Sequence, residues 1–229
     1  MRNLLQKIFS FSKRTNSRPG KKKNKSKGQS LVELTLTLPL ILMLFSGMVE
    51  FGFMLNYYLS LLDATRYAAR EYSGGDPWIR DANNNYNGDN ISGYTLNGQS
   101  YPGFYSPAAS TVYAELAPKD INDTTRKITL NPATDDVIIS VYSIDQNGNI
   151  TDYPTAGPYH LYGNQHSPAV TDATIQSGLV SGGPCEGILS VEVDYTYHQV
   201  LNLPWMAWLG SPVLPAYTIM PNQAVEPQC

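Results

Sequence analysis

From Leu34 to Leu55 the chain reads LTLTLPLILMLFSGMVEFGFML, 22 residues with one charge, Glu50. A helix of that length is about 33 Å long, enough to cross the roughly 30 Å hydrocarbon core of a bilayer. The apolar run then gives way to a helical period. Tyr58, Leu61, Leu62, Thr65, Ala68, Ala69 and Tyr72 recur at spacings of three and four, which predicts an amphipathic continuation of the same helix. Ser73-Gly74-Gly75-Asp76-Pro77 ends it, because paired glycines lose helix propensity and Pro77 cannot continue the ladder. No small-x-small cleavage site follows the apolar stretch promptly, so it reads as a retained span rather than a secretory signal.

Beyond the helix the pattern changes to short β-type runs. Residues 76–110 are crowded with Asn, Gly, Ser and Tyr and read as a surface loop. Ser106-Pro107 predicts the start of a short helix ending at Leu116, and Ser167-Pro168 a second one over PAVTDATIQSGL. Residues 136–144 (DVIISVYSI) and 150–153 (ITDY) predict a hairpin about Asn147-Gly148. Residues 188–200 and 213–221 predict a second strand pair, joined by the apolar stretch LNLPWMAWLG. There Trp205, Met206, Trp208 and Leu209 either cover the core or dock on a membrane or partner. Pairing about a turn near Ala207 would set Cys185, ahead of the first strand, beside Cys229, after the second, as a disulfide or as two free thiols. The fold class expected is α+β: a long N-terminal transmembrane and stalk helix, with a small antiparallel sheet and short helices in an extracytoplasmic domain. The expected divisions are a leader over 1–28, span and stalk over 29–75, and the domain over 76–229.

Charge sets the orientation. The net charge of -3 hides ten Lys or Arg and no acid in residues 1–27, against six basic and nineteen acidic residues in the remainder. Such a basic block can attract nucleic acid, but its place beside a span argues for the positive-inside rule and anionic lipid instead. The expectation is a single-pass protein of the cytoplasmic (inner) membrane, N-terminus inside and C-terminus outside, with the lipid bilayer and no nucleic acid as partner.

At the junction lies Lys27-Gly28-Gln29-Ser30-Leu31-Val32-Glu33. Glycine without a β-carbon can lie extended in a narrow protease cleft, and a carboxylate at the edge of the hydrocarbon needs a partner. The bland readings are a flexible leader end and an acid resting among headgroups. Placed between a basic block and a span, the pattern resembles a type IV prepilin processing site. More closely, GQSLVELTLTLPLILMLFSGMVEFG with Ala68-Ala69-Arg70-Glu71 resembles the N-terminal segment of TadE-like proteins, pseudopilins of the tight-adherence pilus system. LSVEVDYTY and AYTIMPNQAVEP resemble, more faintly, that family's last two strands. The resemblance implies a pilin-like architecture, cleavage between Gly28 and Gln29 by a prepilin peptidase, and Glu33 as fifth residue of the mature chain. The implied partners are that peptidase, other pilin or pseudopilin subunits, and inner-membrane platform proteins.

Glu50, flanked by Gly47 and Gly52, is a second assembly candidate, since intramembrane carboxylates face protein or water and small residues admit close helices. It could equally sit neutral, or reach the outer interface. Pro39 removes one intrahelical bond and can kink the span.

No catalytic constellation is present: the chain lacks a Gly-x-Ser-x-Gly elbow, a phosphate loop, His-Glu-x-x-His and closely spaced cysteines. His160, His166 and His198 are scattered. Asp81, Asn83, Asn85, Asn87 and Asp89, and again the Asp145 turn, invite calcium, but turn chemistry accounts for both. The chain is therefore read as a non-enzyme with no catalytic, cofactor or metal residues. Sixteen Tyr and three Trp sustain an alternative, an unprocessed membrane-anchored adhesin or carbohydrate-binding module.

Overall fold

The computed structural model describes residues 27–117, 128–163, 165–178 and 185–225. The remainder of the basic leader, residues 1–26, lies outside them. The chain divides into two compact units, at Leu44 and Phe45. Helix α1 (Lys27–Tyr72) carries the apolar stretch and its continuation, with Pro39 inside it. In the first unit its large side chains, such as Leu36, Leu40 and Leu44, are exposed. Thr35 and Thr37 turn their hydroxyls back onto the carbonyls of Leu31 and Glu33, so neither leaves an unpaired donor on that apolar surface.

In the second unit α1 enters a core. Leu61, Ala64, Thr65, Ala68 and Ala69 are buried, with Leu62 and Tyr72 packed at the margin. The predicted helical face holds apart from Tyr58, which is 37% exposed; Tyr57 packs instead, stacked on Tyr195 at 5.8 Å and edge-on to Tyr197 at 5.5 Å. The helix stops at the predicted glycines, where Gly75 N–H donates to the carbonyl of Tyr72.

The stretch read as a surface loop holds two hairpins: β1 (Trp78–Arg80) with β2 (Tyr86–Asp89), and β3 (Gly93–Leu96) with β4 (Gln99–Pro102). Turn chemistry makes them. The Asp81 carboxylate accepts from the backbone N–H of Asn83 and Asn85, and Asn84, Asn97 and Gly98 supply positive φ. Helix α2 (Tyr105–Leu116) starts one residue before Ser106, behind Phe104 and without a side-chain cap.

The main sheet comprises β5 (Asp136–Ile144), β6 (Ile150–Tyr153), β7 (Tyr159–His160), β8 (Glu186–Thr196) and β9 (Val213–Pro221). It runs in the order β6-β5-β8-β9, with β7 also on β5, and every pairing is antiparallel. One face (Val137, Ile139, Val141, Leu189, Val191, Val193) shares a core with α1 and with Ala108, Ala109 and Val112 of α2. Strands β5 and β8 are buried on their other face too, where Tyr142 and Ile144 pack with Val170 and Ile175. This is an α+β fold.

Three expectations are corrected in detail. The second short helix, α3 (Asp172–Gly178), begins later than Pro168 because Thr171 caps it, its hydroxyl accepting from Thr174 N and its carbonyl from Ile175 N. Strand β8 ends at Thr196 rather than Val200. The β8–β9 register pairs Thr196 with Val213 and Ile188 with Pro221, which centres the turn between Pro204 and Trp205 rather than at Ala207. Strand β9 is an edge, and its outer row of alternate residues, Val213, Pro215, Tyr217, Ile219 and Pro221, is exposed.

Candidate functional site

The Gly28–Gln29 peptide lies in the first turn of α1, where N–H groups have no partner four residues back. Gly28 further weakens that turn, by about 1 kcal/mol relative to alanine. The scissile bond of the sequence reading is therefore where the helix opens most readily. Glu33 lies one turn further on and is exposed. From Ser30 to Tyr72 the helix is long and apolar enough to cross a membrane; its most apolar window has a mean hydropathy of 2.0, with 6% of it buried. A core helix of a water-soluble domain with that composition would be mostly buried.

Glu50 stands in contrast to its apolar neighbours, being 2% exposed. Its carboxylate accepts hydrogen bonds from Tyr197 Oη at 2.7 Å, Val200 N at 2.7 Å and Leu201 N at 3.0 Å. Taking a carboxylate out of water costs several kcal/mol. Bonds to a charged acceptor at about 1.5–3 kcal/mol each offset that cost. These donors come from the segment after β8, which is itself braced. Gln199 Nε2 donates to the carbonyls of Met206 and Gly210, at 2.9 and 3.2 Å, and Trp205 Nε1 donates to Ser46 Oγ at 3.0 Å. Met206 is buried, whereas Trp205 is 41% exposed, so the apolar segment both covers the core and keeps a surface. The side chains of Trp208 and Leu209 lie outside the described residues.

No sequence signal links Tyr197 to a residue 147 positions earlier. A hint is that one charge in a span must find donors nearby.

A second set of buried acids also escaped the sequence. Asp136 accepts from the N–H groups of Val137, Tyr162 and Gln165 and meets His160 Nδ1 at 2.7 Å. Glu192 accepts from Ala169 N at 2.6 Å and Val170 N at 3.1 Å; Asp135 accepts from Asn131 N and Thr196 N. Burial pushes the carboxyls of Glu192 and Asp194 up. Glu192 and Asp194, at period two in LSVEVDYTY, are both buried, with Ala169 and Val170 lying over Glu192. Glu192 pins that cover to the sheet.

The calcium candidates are spent on turns. Asp81 and Asp145 bind their own loop amides, which lowers both carboxyls, and Asp89 accepts from the N–H and hydroxyl of Thr155. Among the described residues no group of three or more His, Cys, Asp or Glu converges on a metal position. Cys185, at φ 50 ahead of β8, is disulfide-bonded, and Cys229 lies outside the described residues. An open cleft of about 760 Å³ is lined by Tyr72, Asp76, Arg80, Tyr94, Tyr101 and Phe104, but Tyr94 and Tyr101 stack on each other at 4.7 Å.

Compared with known proteins, residues 28–70 match the family model described as TadE-like protein. No curated protein and no solved structure matches the chain.

Proposed function

We propose, taking residues 28–70 as the TadE-like segment they match, that this chain is a pilin-like structural subunit associated with a tight-adherence pilus. TadE-like proteins are a structural rather than an enzymatic family, which agrees with the absence of catalytic motifs from the sequence. In the finer reading the chain is a precursor. Its basic leader stays on the cytoplasmic side, and a prepilin peptidase cuts between Gly28 and Gln29. The apolar helix then carries the mature subunit toward its neighbours, where Glu33 pairs with a new α-amino group and sets register. Glu50 acts in assembly by fixing the domain to the helix that assembles.

One observation carries this reading: a glycine in the weak first turn of α1 and an acid five residues on, both within the matched segment, stand at the head of that helix, whose apolar side chains are exposed. Sequencing the mature N-terminus from the native host tests it. The chain should begin at Gln29, and should keep its leader when the prepilin peptidase is deleted. A chain beginning at Met1 in the presence of the peptidase refutes processing and favours the unprocessed adhesin.

A further inference from the structure

The segment that holds Glu50 is attached inside the apolar stretch of α1, not beyond it. Crossing a bilayer takes about 20 residues. Counted from Leu34 that reaches about Phe53, and counted from Leu31 about Glu50, so Ser46 falls within the span on either count. Whatever binds Ser46 and Glu50 is thus at the level of the lipid.

The segment suits that level. Residues 199–225 contain no Asp, Glu, Lys or Arg. Val200 is 47% exposed and Trp205 41%, beside Phe45 and Met48 of α1 at 62% and 72%. Its polar groups are largely satisfied within the protein: the Trp205 indole N–H by Ser46, the Val200 and Leu201 amides by Glu50, and the Met206 and Gly210 carbonyls by Gln199. Pro204 has no N–H to satisfy. Backbone outside a helix is tolerated at membrane depth only on such terms. In return, the segment removes the cost of the one carboxylate in the stretch.

We propose that residues 200–210 are a second membrane-contacting element, which lies in the headgroup–acyl boundary beside α1 with Trp205 as its interfacial anchor. The occupant is lipid, because the apolar surface is continuous with that of the helix, and an indole with an apolar body and a satisfied N–H belongs at that boundary. This inference rests on reading α1 as a span.

The test uses the full chain in lipid nanodiscs holding one copy each, with Trp205 as sole tryptophan (Trp78→Phe, Trp208→Phe). Phosphatidylcholine brominated near the top of its acyl chains should quench Trp205 by at least about half relative to unbrominated lipid. A parallel probe, Met48→Trp in a chain lacking the native tryptophans, reports the span. Quenching at 48 without quenching at 205 overturns the proposal and leaves the span standing. Absence of quenching at both removes the span as well. Should the tryptophan substitutions unfold the domain, a nitroxide on Val200→Cys in the otherwise native chain reports the same depth. Oxygen should relax it more than a water-soluble nickel chelate does, and the reverse order overturns the proposal.

Discussion

Glu50 is the residue on which the most depends, because two backbone amides and a phenol have no other acceptor on that part of the helix. Substitution by leucine removes the acceptor and leaves the buried Tyr197 hydroxyl and the part-buried amides of Val200 and Leu201 without it; an unsatisfied buried group costs about 1–3 kcal/mol. Glu50→Leu is therefore expected to destabilise the domain by several kcal/mol, whereas Tyr197→Phe, which removes one of the three bonds, should cost about 1–2 kcal/mol. Denaturant unfolding in detergent, followed by far-UV dichroism, would separate the two; equal losses would mean that the backbone amides contribute nothing. A second residue reports through pH. Asp152 on β6, exposed at one side, is raised to about 7 from an ordinary 3.8 by partial desolvation and then by the hydrogen bond and charge of Asp172 in the first turn of α3. The folded state then holds a proton that the unfolded chain releases, so stability falls as pH rises between 3.8 and about 7 and levels off above. Burial of Glu192 acts in the same direction. Asp152→Asn should flatten the slope of melting temperature against pH across that window; an unchanged slope would place the proton elsewhere.

At the scale of elements, the contact between β8 and the C-terminal end of the sheet leaves no clearance. A β-carbon on Gly187 would lie 2.1 Å from the carbonyl oxygen of Asn222, which accepts from Val225 N–H in the turn after β9. Gly187→Ala is expected to cost about 1–3 kcal/mol or more through forced backbone displacement. Gly98→Ala would meet open space, and its cost is limited to a positive φ of 81°, about 1 kcal/mol. Thermal melts of the pair decide this, and Gly98→Ala proving the worse would contradict the packing. Strand β5 was legible because a run rich in β-branched residues, DVIISVYSI, bounded by turn residues identifies itself. Hairpins β1–β4 were not, since asparagine-rich sequence looks like loop until Asn84 and Asn97-Gly98 are recognised as turns. The start of α3 differs from Pro168 because two caps compete within a few residues and Thr171, not Ser167, is the one used.

For the molecule as a whole, local sequence reads the long helix well, because apolar length and glycine stops act within a few residues of themselves. It reads poorly whatever joins the domain's parts. Tyr57 rather than Tyr58 packs because the aromatic pair Tyr195 and Tyr197 lies there, and Glu192 of β8 is buried because the amides of Ala169 and Val170 meet it. The aromatic richness that suggested a sugar-binding surface largely resolves into internal pairs, among them Trp78 with Tyr153 and Tyr72 with Phe104.

The open margin of the five-stranded sheet also has a bearing on crowding. A proline in a ladder must turn its missing N–H away from the paired neighbour, so Pro215 and Pro221 present imide nitrogens outward along β9. A foreign strand laid there would find two rungs absent within seven residues, which disfavours strand addition at that margin. Two copies of this chain that met along β9 would therefore touch without joining their sheets across it.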